Sequence, residues 1–199
     1  LAPRPGERVL EAGAAPGTTA RASGAGGGPH GEVMASDRSA ARLHRVGRDA
    51  RRLGLTNVTT RHLDASQPLP ELGAAFDRVL VDVPCSGLGT LRRNPDARWR
   101  LRPEDVPKLA EIQRAILARA ASVLRPGGTL VYSTCTLLPE ENEQVVTAFL
   151  ERAPGFRLAT RAALPATVRA VMAEDGYMRT LPHRHGSDGF FAARLERRA

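Results

Sequence analysis

Short apolar runs alternate along the chain with segments whose apolar residues recur every three or four positions. This is the pattern of repeated β–α units around a mainly parallel sheet. The runs predict strands over Arg8–Ala12, Glu32–Asp37, Val58–Leu63, Arg78–Val83 and Gly128–Ser133. The helical pattern occupies Thr18–Ser23, Ser39–Leu53, Pro103–Leu124 and Pro139–Arg152. Pro103 suits a first helical turn, where a missing N–H costs nothing, and Glu104 and Asp105 complement the helix dipole. Pro126-Gly127-Gly128 ends that helix before the next strand. Beyond Pro154 the periodicity weakens, although Met178–Leu181 and Phe190–Leu195 fit a terminal hairpin joined by His183–Gly189. The glycine-rich stretch Gly24–Gly31 lacks the Gly-Lys-Ser/Thr ending of a phosphate loop and reads as a flexible helix-to-strand connection. Neither internal repeats nor a second domain can be discerned, so residues 1–199 read as one α/β domain.

Composition narrows the class. At 42% hydrophobic and only 4% aromatic, 199 residues can bury one core, built mostly from Leu, Val and Ala. No apolar run approaches the ~20 residues of a membrane helix, and no signal-peptide pattern opens the chain. Two cysteines are too few for a disulfide framework, which points to the cytoplasm and to free thiols. The net charge of +8 favours a polyanionic partner. Lys108 is the single lysine among 29 basic residues, and arginine both grips phosphate bidentately and stacks on bases, so nucleic acid leads the partner classes. Because Arg4-Pro5-Gly6-Glu7 runs straight into a strand, the sequence is expected to start at a catalytic core, with any upstream domain outside it.

Chemistry concentrates at strand ends, where α/β sheets gather their ligands. Cys85 closes Val79–Cys85 and Cys135 closes Thr129–Cys135. A lone cysteine is usually a small core residue. Two at equivalent strand ends, with Asp82 near one, suggest covalent chemistry on an electrophilic ring. The first strand runs into Gly13-Ala14-Ala15-Pro16-Gly17-Thr18-Thr19, whose small residues let a ligand lie against backbone and free helical N–H groups. It is not the Gly-x-Gly-x-x-Gly fingerprint, which disfavours nicotinamide, and it suits a small zwitterionic head group such as that of methionine.

Asp37 ends the second strand, where an acid binds ribose hydroxyls. Asp64, after the third, can accept from an adenine amino group or serve as a turn residue. Asp82, inside an apolar run, is expected to be buried and to need a partner. His44, His62, His183 and His185 show no metal-ligand spacing, so no metal is expected. Arg38, Arg42, Arg45, Arg48 and Arg52 recur at helical spacing and read as a solvated face. The loop containing Arg92, Arg93, Arg98 and Trp99 could hold phosphates and stack a base, or Trp99 could pack on the long helix after it.

These motifs resemble the catalytic domain of the NOP2/Sun RNA cytosine-5 methyltransferases, most closely the bacterial Sun/Fmu branch acting on 16S ribosomal RNA. The resemblance covers essentially the whole chain. It rests on Asp82-Val83-Pro84-Cys85-Ser86-Gly87-Leu88-Gly89-Thr90, the loop through Arg98-Trp99, and Tyr132-Ser133-Thr134-Cys135-Thr136 with Pro139-Glu140-Glu141-Asn142. Asp188-Gly189-Phe190-Phe191 also fits.

The resemblance implies a Rossmann-like class I methyltransferase fold with a seven-stranded sheet, its last strand antiparallel and helices on both faces. It implies S-adenosylmethionine bound by Gly13 to Thr19, with Asp37 at the ribose, Asp64 at the adenine and Asp82 near both cofactor and base. Cys135 becomes the nucleophile adding to cytosine C6, and Cys85 assists product release, with nearby arginines expected to favour the thiolate. Ribosomal RNA is the implied partner, with an upstream RNA-recognition region. The first motif departs from the family's Asp-x-Cys-Ala-Ala-Pro-Gly-Gly-Lys, reading Glu11-Ala12-Gly13-Ala14-Ala15-Pro16-Gly17-Thr18-Thr19, so the lysine position holds Thr19. The rivals are a non-catalytic RNA-binding module with a decayed cofactor loop, the same chemistry on tRNA and, more distantly, a cysteine hydrolase.

Overall fold

Alternate residues of the first strand, β1 (Arg8–Ala12), enter different cores, and this sets the layering of the molecule. Val9 packs with Ala20, Val33, Ala35 and Val46, whereas Leu10 packs with Val79, Leu117, Leu130 and Tyr132. Side chains along a strand alternate between faces, so both faces of the sheet are covered, as parallel sheets require. The computed structural model describes residues 1–15, 17–28, 30–164 and 166–199.

The further strands are β2 (Glu32–Asp37), β3 (Val58–His62), β4 (Phe76–Asp82), β5 (Leu124–Thr134), β6 (Phe156–Leu158), β7 (Met178–Thr180) and β8 (Phe190–Arg197). Seven lie along one path in the order β3-β2-β1-β4-β5-β8-β6, with β7 paired to β8 off the path. Pairings among β1 to β5 are parallel, and β8 runs antiparallel to β5, β6 and β7. The seven-stranded path with its antiparallel last strand is the α/β Rossmann-like arrangement the resemblance implies.

The face bearing Val9 is covered by α1 (Thr18–Gly26) and α2 (Ala40–Arg52), and the other by α4 (Asp105–Val123) and α5 (Glu143–Arg152). A four-residue helix, α3 (Ala97–Arg100), lies in the loop after β4, and α6 (Ala166–Arg169) and α7 (Pro182–His185) are equally short. Ser39 caps α2 by accepting the Arg42 N–H, and Leu43, Val46 and Ala50 form its buried stripe. Among the described residues no helix is long and apolar enough to cross a membrane.

Several boundaries differ from the sequence expectation for identifiable reasons. The stretch Gly24–Gly31 is not all connection, because α1 continues to Gly26. A β-carbon on Gly24 would lie 2.7 Å from Val58 Cγ2, so this glycine allows close packing of helix on sheet. The long helix starts at Asp105, leaving Pro103 outside it. Pro126-Gly127-Gly128 does not separate helix from strand. It forms a bulge within β5, with Leu124 opposite Phe76 and Thr129 opposite Arg78, and Gly127 takes φ +75°. Residues 139–152 divide into a 3-10 turn, Pro139–Glu141, and α5. The hairpin of β7 and β8 forms as expected, with α7 in its connection.

Candidate active site

The parallel register of β4 and β5 brings their carboxyl ends side by side, with Asp82 opposite Ser133. The chain continues from each into a cysteine-bearing turn. Val83 N–H donates to Ser133 O at 3.1 Å, and Gly89 N–H donates to Cys135 O at 2.9 Å. These bonds leave Cys85 Sγ 3.3 Å from Cys135 Sγ, both free and both half-buried.

The two thiols differ in charge preference. The hydrogen bond from Cys85 favours the anion of Cys135 and lowers its pKa, against burial and the negative charge of Asp82. The same bond, together with burial, pushes the Cys85 thiol up, so Cys85 keeps its proton. The group that most favours the anion of Cys135 is thus the neighbouring Cys85 sulfur, where the sequence led one to expect arginines. Sulfur without its proton is the nucleophilic form.

A cleft of about 270 Å³ opens beside the sulfurs. Gly13, Ala15, Asp37, Asp64, Asp82 and Cys135 all line it. Gly13 adopts φ +76°, and a β-carbon there would sit 2.1 Å from Asp82 O, so backbone meets backbone without room for a side chain. Asp37 is buried, with its Oδ1 accepting Ser39 N–H at 2.8 Å. Asp64 is held by both N–H and hydroxyl of Ser66, whose hydrogen bonds lower its pKa. Asp82 is not buried as expected. Its carboxyl faces the open cleft and accepts from Ser133 Oγ at 3.3 Å. The protein around it still raises its pKa through desolvation, against the Ser133 hydrogen bond and the charge of Arg42.

The rest of the first loop is distributed around the cleft. Ala14 is buried and donates its N–H to Ser36 O at 3.0 Å. Gly17 is buried in a left-handed conformation against Val46. Thr18 and Thr19 start α1 and are exposed, outside the residues that line the cleft. Pro16 lies outside the described residues. Glu11 is fully buried, accepts Ser23 Oγ at 2.6 Å and has its pKa raised by burial.

Arg42 was the cleft residue least visible in the sequence, where it reads as one of five arginines on a solvated face. Its Nη2 donates to Ala15 O at 2.7 Å, and its Nη1 lies 3.8 Å from Asp37. It therefore ties α2 to the first loop, and Arg38 also lines the cleft. Arg45, Arg48 and Arg52 remain on the exposed face.

A second, wider groove of about 690 Å³ adjoins this cleft. Arg93, Arg100 and Lys108 line it together with Asp96 and Asp105, and Cys85 and Ile112 line both hollows. Arg93 pairs with Asp188 at 3.2 Å, and Arg92 donates to Gly186 O at 2.9 Å, fastening the loop to the β7–β8 connection. Trp99 is 77% exposed, with the Arg98 guanidinium 4.7 Å from its ring centre. It does not pack on the long helix, so an indole face stands in solvent beside the groove. Arg100 and Lys108 were absent from the sequence-based site, although Arg100 belongs to the same arginine-rich loop.

Comparison with known proteins agrees with this geometry. A family model described as "16S rRNA methyltransferase RsmB/F" matches residues 1–196. A probable ribosomal RNA small subunit methyltransferase B of Synechocystis sp. is 39% identical over 198 residues, covering 99% of this chain and 44% of the relative. Ribosomal RNA small subunit methyltransferase B of Citrobacter koseri is 41% identical over 198 residues, covering 98% and 43%. The chain thus spans less than half the length of these curated relatives. Among solved structures, NSun6 from Pyrococcus horikoshii with SFG superposes at a TM-score of 0.83 with 34% identity, covering 98% of this chain and 49% of that one. A methyltransferase from Aquifex aeolicus, 17% identical with a TM-score of 0.61, shares the fold.

Proposed function

The chain belongs to the 16S rRNA methyltransferase RsmB/F family, and on that premise we propose that it carries the catalytic domain for methylating cytosine C5 in 16S ribosomal RNA. The observation that carries this reading is the 3.3 Å contact between the two sulfurs at the mouth of a carboxylate-lined cleft. A module that only binds RNA has no use for two paired free thiols there.

The cleft fits S-adenosylmethionine. Gly13 and Ala15 offer close backbone approach, buried Asp37 suits ribose hydroxyls, and Asp64 suits an adenine amino group. The absence of a lysine at Thr19 removes no wall of the cleft, since Thr18 and Thr19 do not line it. When bound there, the cofactor supplies an electrophilic methyl group. Cys135 Sγ bonds to C6 of the cytosine, which makes C5 electron-rich enough to accept that methyl group. A base then removes the C5 proton, and the C6–S bond breaks with its electron pair returning to sulfur. The Cys85 S–H stabilises the departing thiolate through the bond that favours it at rest. Asp82, with its raised pKa, can share a proton at N3 and offset charge in the adduct.

The target base must leave its stack to reach sulfur. Trp99 and Arg98, with Arg92 and Arg93 in the same loop, offer stacking and phosphate contacts beside the groove. The greater length of the relatives supports an RNA-recognition region outside these residues, and a ribosomal substrate with free thiols supports a cytoplasmic enzyme. Bisulfite sequencing of 16S rRNA from a deletion strain tests the reading: one cytosine loses its methyl mark. An unchanged 16S pattern with a change in tRNA would move the substrate, and calorimetry showing no S-adenosylmethionine binding would overturn the enzyme.

A further inference from the structure

Four residues flank the two cysteines in sequence, and one buried cluster grips all four. Gln113 Nε2 donates to Pro84 O at 2.9 Å, just before Cys85. Glu141 accepts Ser86 N–H at 2.9 Å and Ser86 Oγ–H at 2.5 Å, just after it. Asn142 Oδ1 accepts from Thr134 Oγ1 at 2.6 Å, and Asn142 Nδ2 donates to Thr136 O at 3.1 Å, on either side of Cys135. The two halves meet where Ser86 Oγ and Thr136 Oγ1 lie 2.7 Å apart.

Glu141 gives this cluster its direction. It is fully out of solvent, and each of its carboxylate contacts is a donor, including Gln113 Nε2 at 2.9 Å. Ser86 has one hydroxyl proton and spends it on Glu141, so the Thr136 hydroxyl must donate to Ser86. Thr136 Oγ1 accepts in turn from Leu138 N–H at 3.3 Å. Tyr132, buried in the core, donates from its hydroxyl to Glu141 O at 2.5 Å and anchors the turn to the sheet. A buried carboxylate surrounded by donors is costly to assemble and pins its neighbours when complete.

We propose that Glu141 is a positioning residue that acts through Ser86 and Thr136 to hold the sulfur of Cys85 in hydrogen-bonding register with that of Cys135. The inference rests on the reading of Cys135 as nucleophile and Cys85 as its aid in release. Attack on C6 depends chiefly on Cys135 and the base. Release depends on both sulfurs, so it is the step that loss of register slows most.

The test uses the whole protein, S-adenosylmethionine and unmodified 16S rRNA. Glu141→Gln keeps the side chain's size but turns one acceptor into a donor facing Ser86. Ser86→Ala removes the hydroxyl alone and carries the test if the first variant fails to fold. Each is expected to slow release about 10- to 100-fold, the cost of a small misplacement at a reacting centre. A covalent protein–RNA band should then build up on a denaturing gel. Without RNA, the pH midpoint for alkylation of Cys135 should rise in both variants. Two results overturn the proposal: wild-type turnover with a wild-type alkylation midpoint, or loss of stability and activity together with neither adduct nor midpoint shift. Cys85→Ala, run alongside, separates the two levels. If it traps an adduct and the Glu141 variant does not, only the positioning role falls. If Cys85→Ala traps none, the reading of the thiols falls and takes this proposal with it.

Discussion

Gly189 N–H donates to Gly89 O at 2.8 Å, joining the motif at the start of the last strand to the turn that follows Cys85. The contact is tight on both sides. A β-carbon on Gly89 would stand 2.1 Å from Gly189 O and 2.8 Å from Cys135 O. Gly89→Ala must therefore push the two turns apart. The expected destabilisation is about 1–3 kcal/mol, the usual cost of overpacking, accompanied by a loss of methyl incorporation larger than the stability change explains. Urea melts and rate measurements on the same preparation check this, and unchanged activity would refute it.

Loss of either sulfur should produce opposite gel patterns. Cys135→Ala abolishes methylation and leaves no covalent RNA species, because the C6 bond cannot form. Cys85→Ala allows that bond but removes the donor that helps it break, so a slow-migrating adduct accumulates. An adduct in the first variant, or its absence in the second, would reverse or remove these roles.

The lowered pKa of Cys135 predicts how its reactivity depends on pH. A depressed pKa means the thiolate persists to lower pH than in an unperturbed cysteine, so iodoacetamide should alkylate Cys135 with a midpoint below that of a free cysteine peptide measured alongside. Removing the donor in Cys85→Ala should move that midpoint upward. Mass spectrometry of alkylated peptides across a pH series gives both numbers, and a midpoint indifferent to Cys85 would contradict the hydrogen-bond explanation.

Arg42 holds Ala15 O and faces Asp37 without lying in the core. Arg42→Ala should weaken S-adenosylmethionine binding about tenfold, the worth of one charge-assisted hydrogen bond, while shifting thermal stability little. Titration calorimetry and a thermal melt together decide the matter, and equal affinity in both proteins would return Arg42 to the solvated face.

Trp99 exposes most of its ring beside the groove. Trp99→Ala should cost about 1–3 kcal/mol of RNA affinity if a base stacks there, with cofactor affinity unchanged. Filter binding at fixed salt measures the first and calorimetry the second.

The strands were legible because their signal is local. β1 and β2 carry the expected limits, since each is a short apolar run bounded by polar residues. The cysteines and acids at strand ends were legible for the same reason, as strand ends are where α/β sheets place ligands. What the sequence concealed depends on distant partners. Glu141 reads as one acid in a charged turn, and only Ser86 and Gln113, far from it in the chain, show that it is buried and saturated with donors. Arg42 reads as one of five similar arginines until Ala15 O is found beneath it. Pro126-Gly127-Gly128 reads as a break, yet pairing of Leu124 with Phe76 makes it a bulge. β6 has three residues and no periodicity long enough to register.

Cys85 and Ile112 line both the carboxylate cleft and the arginine-bearing groove. The two compartments therefore adjoin at these two side chains. On the proposed reading, a synthetic molecule that tethers an adenosyl amino acid to a pyrimidine would occupy both at once, losing its translational freedom a single time while gaining two sets of contacts. With a tether of matching length, its affinity exceeds that of either half by about 10²- to 10⁴-fold, which makes the shared wall a target for bridging inhibitors.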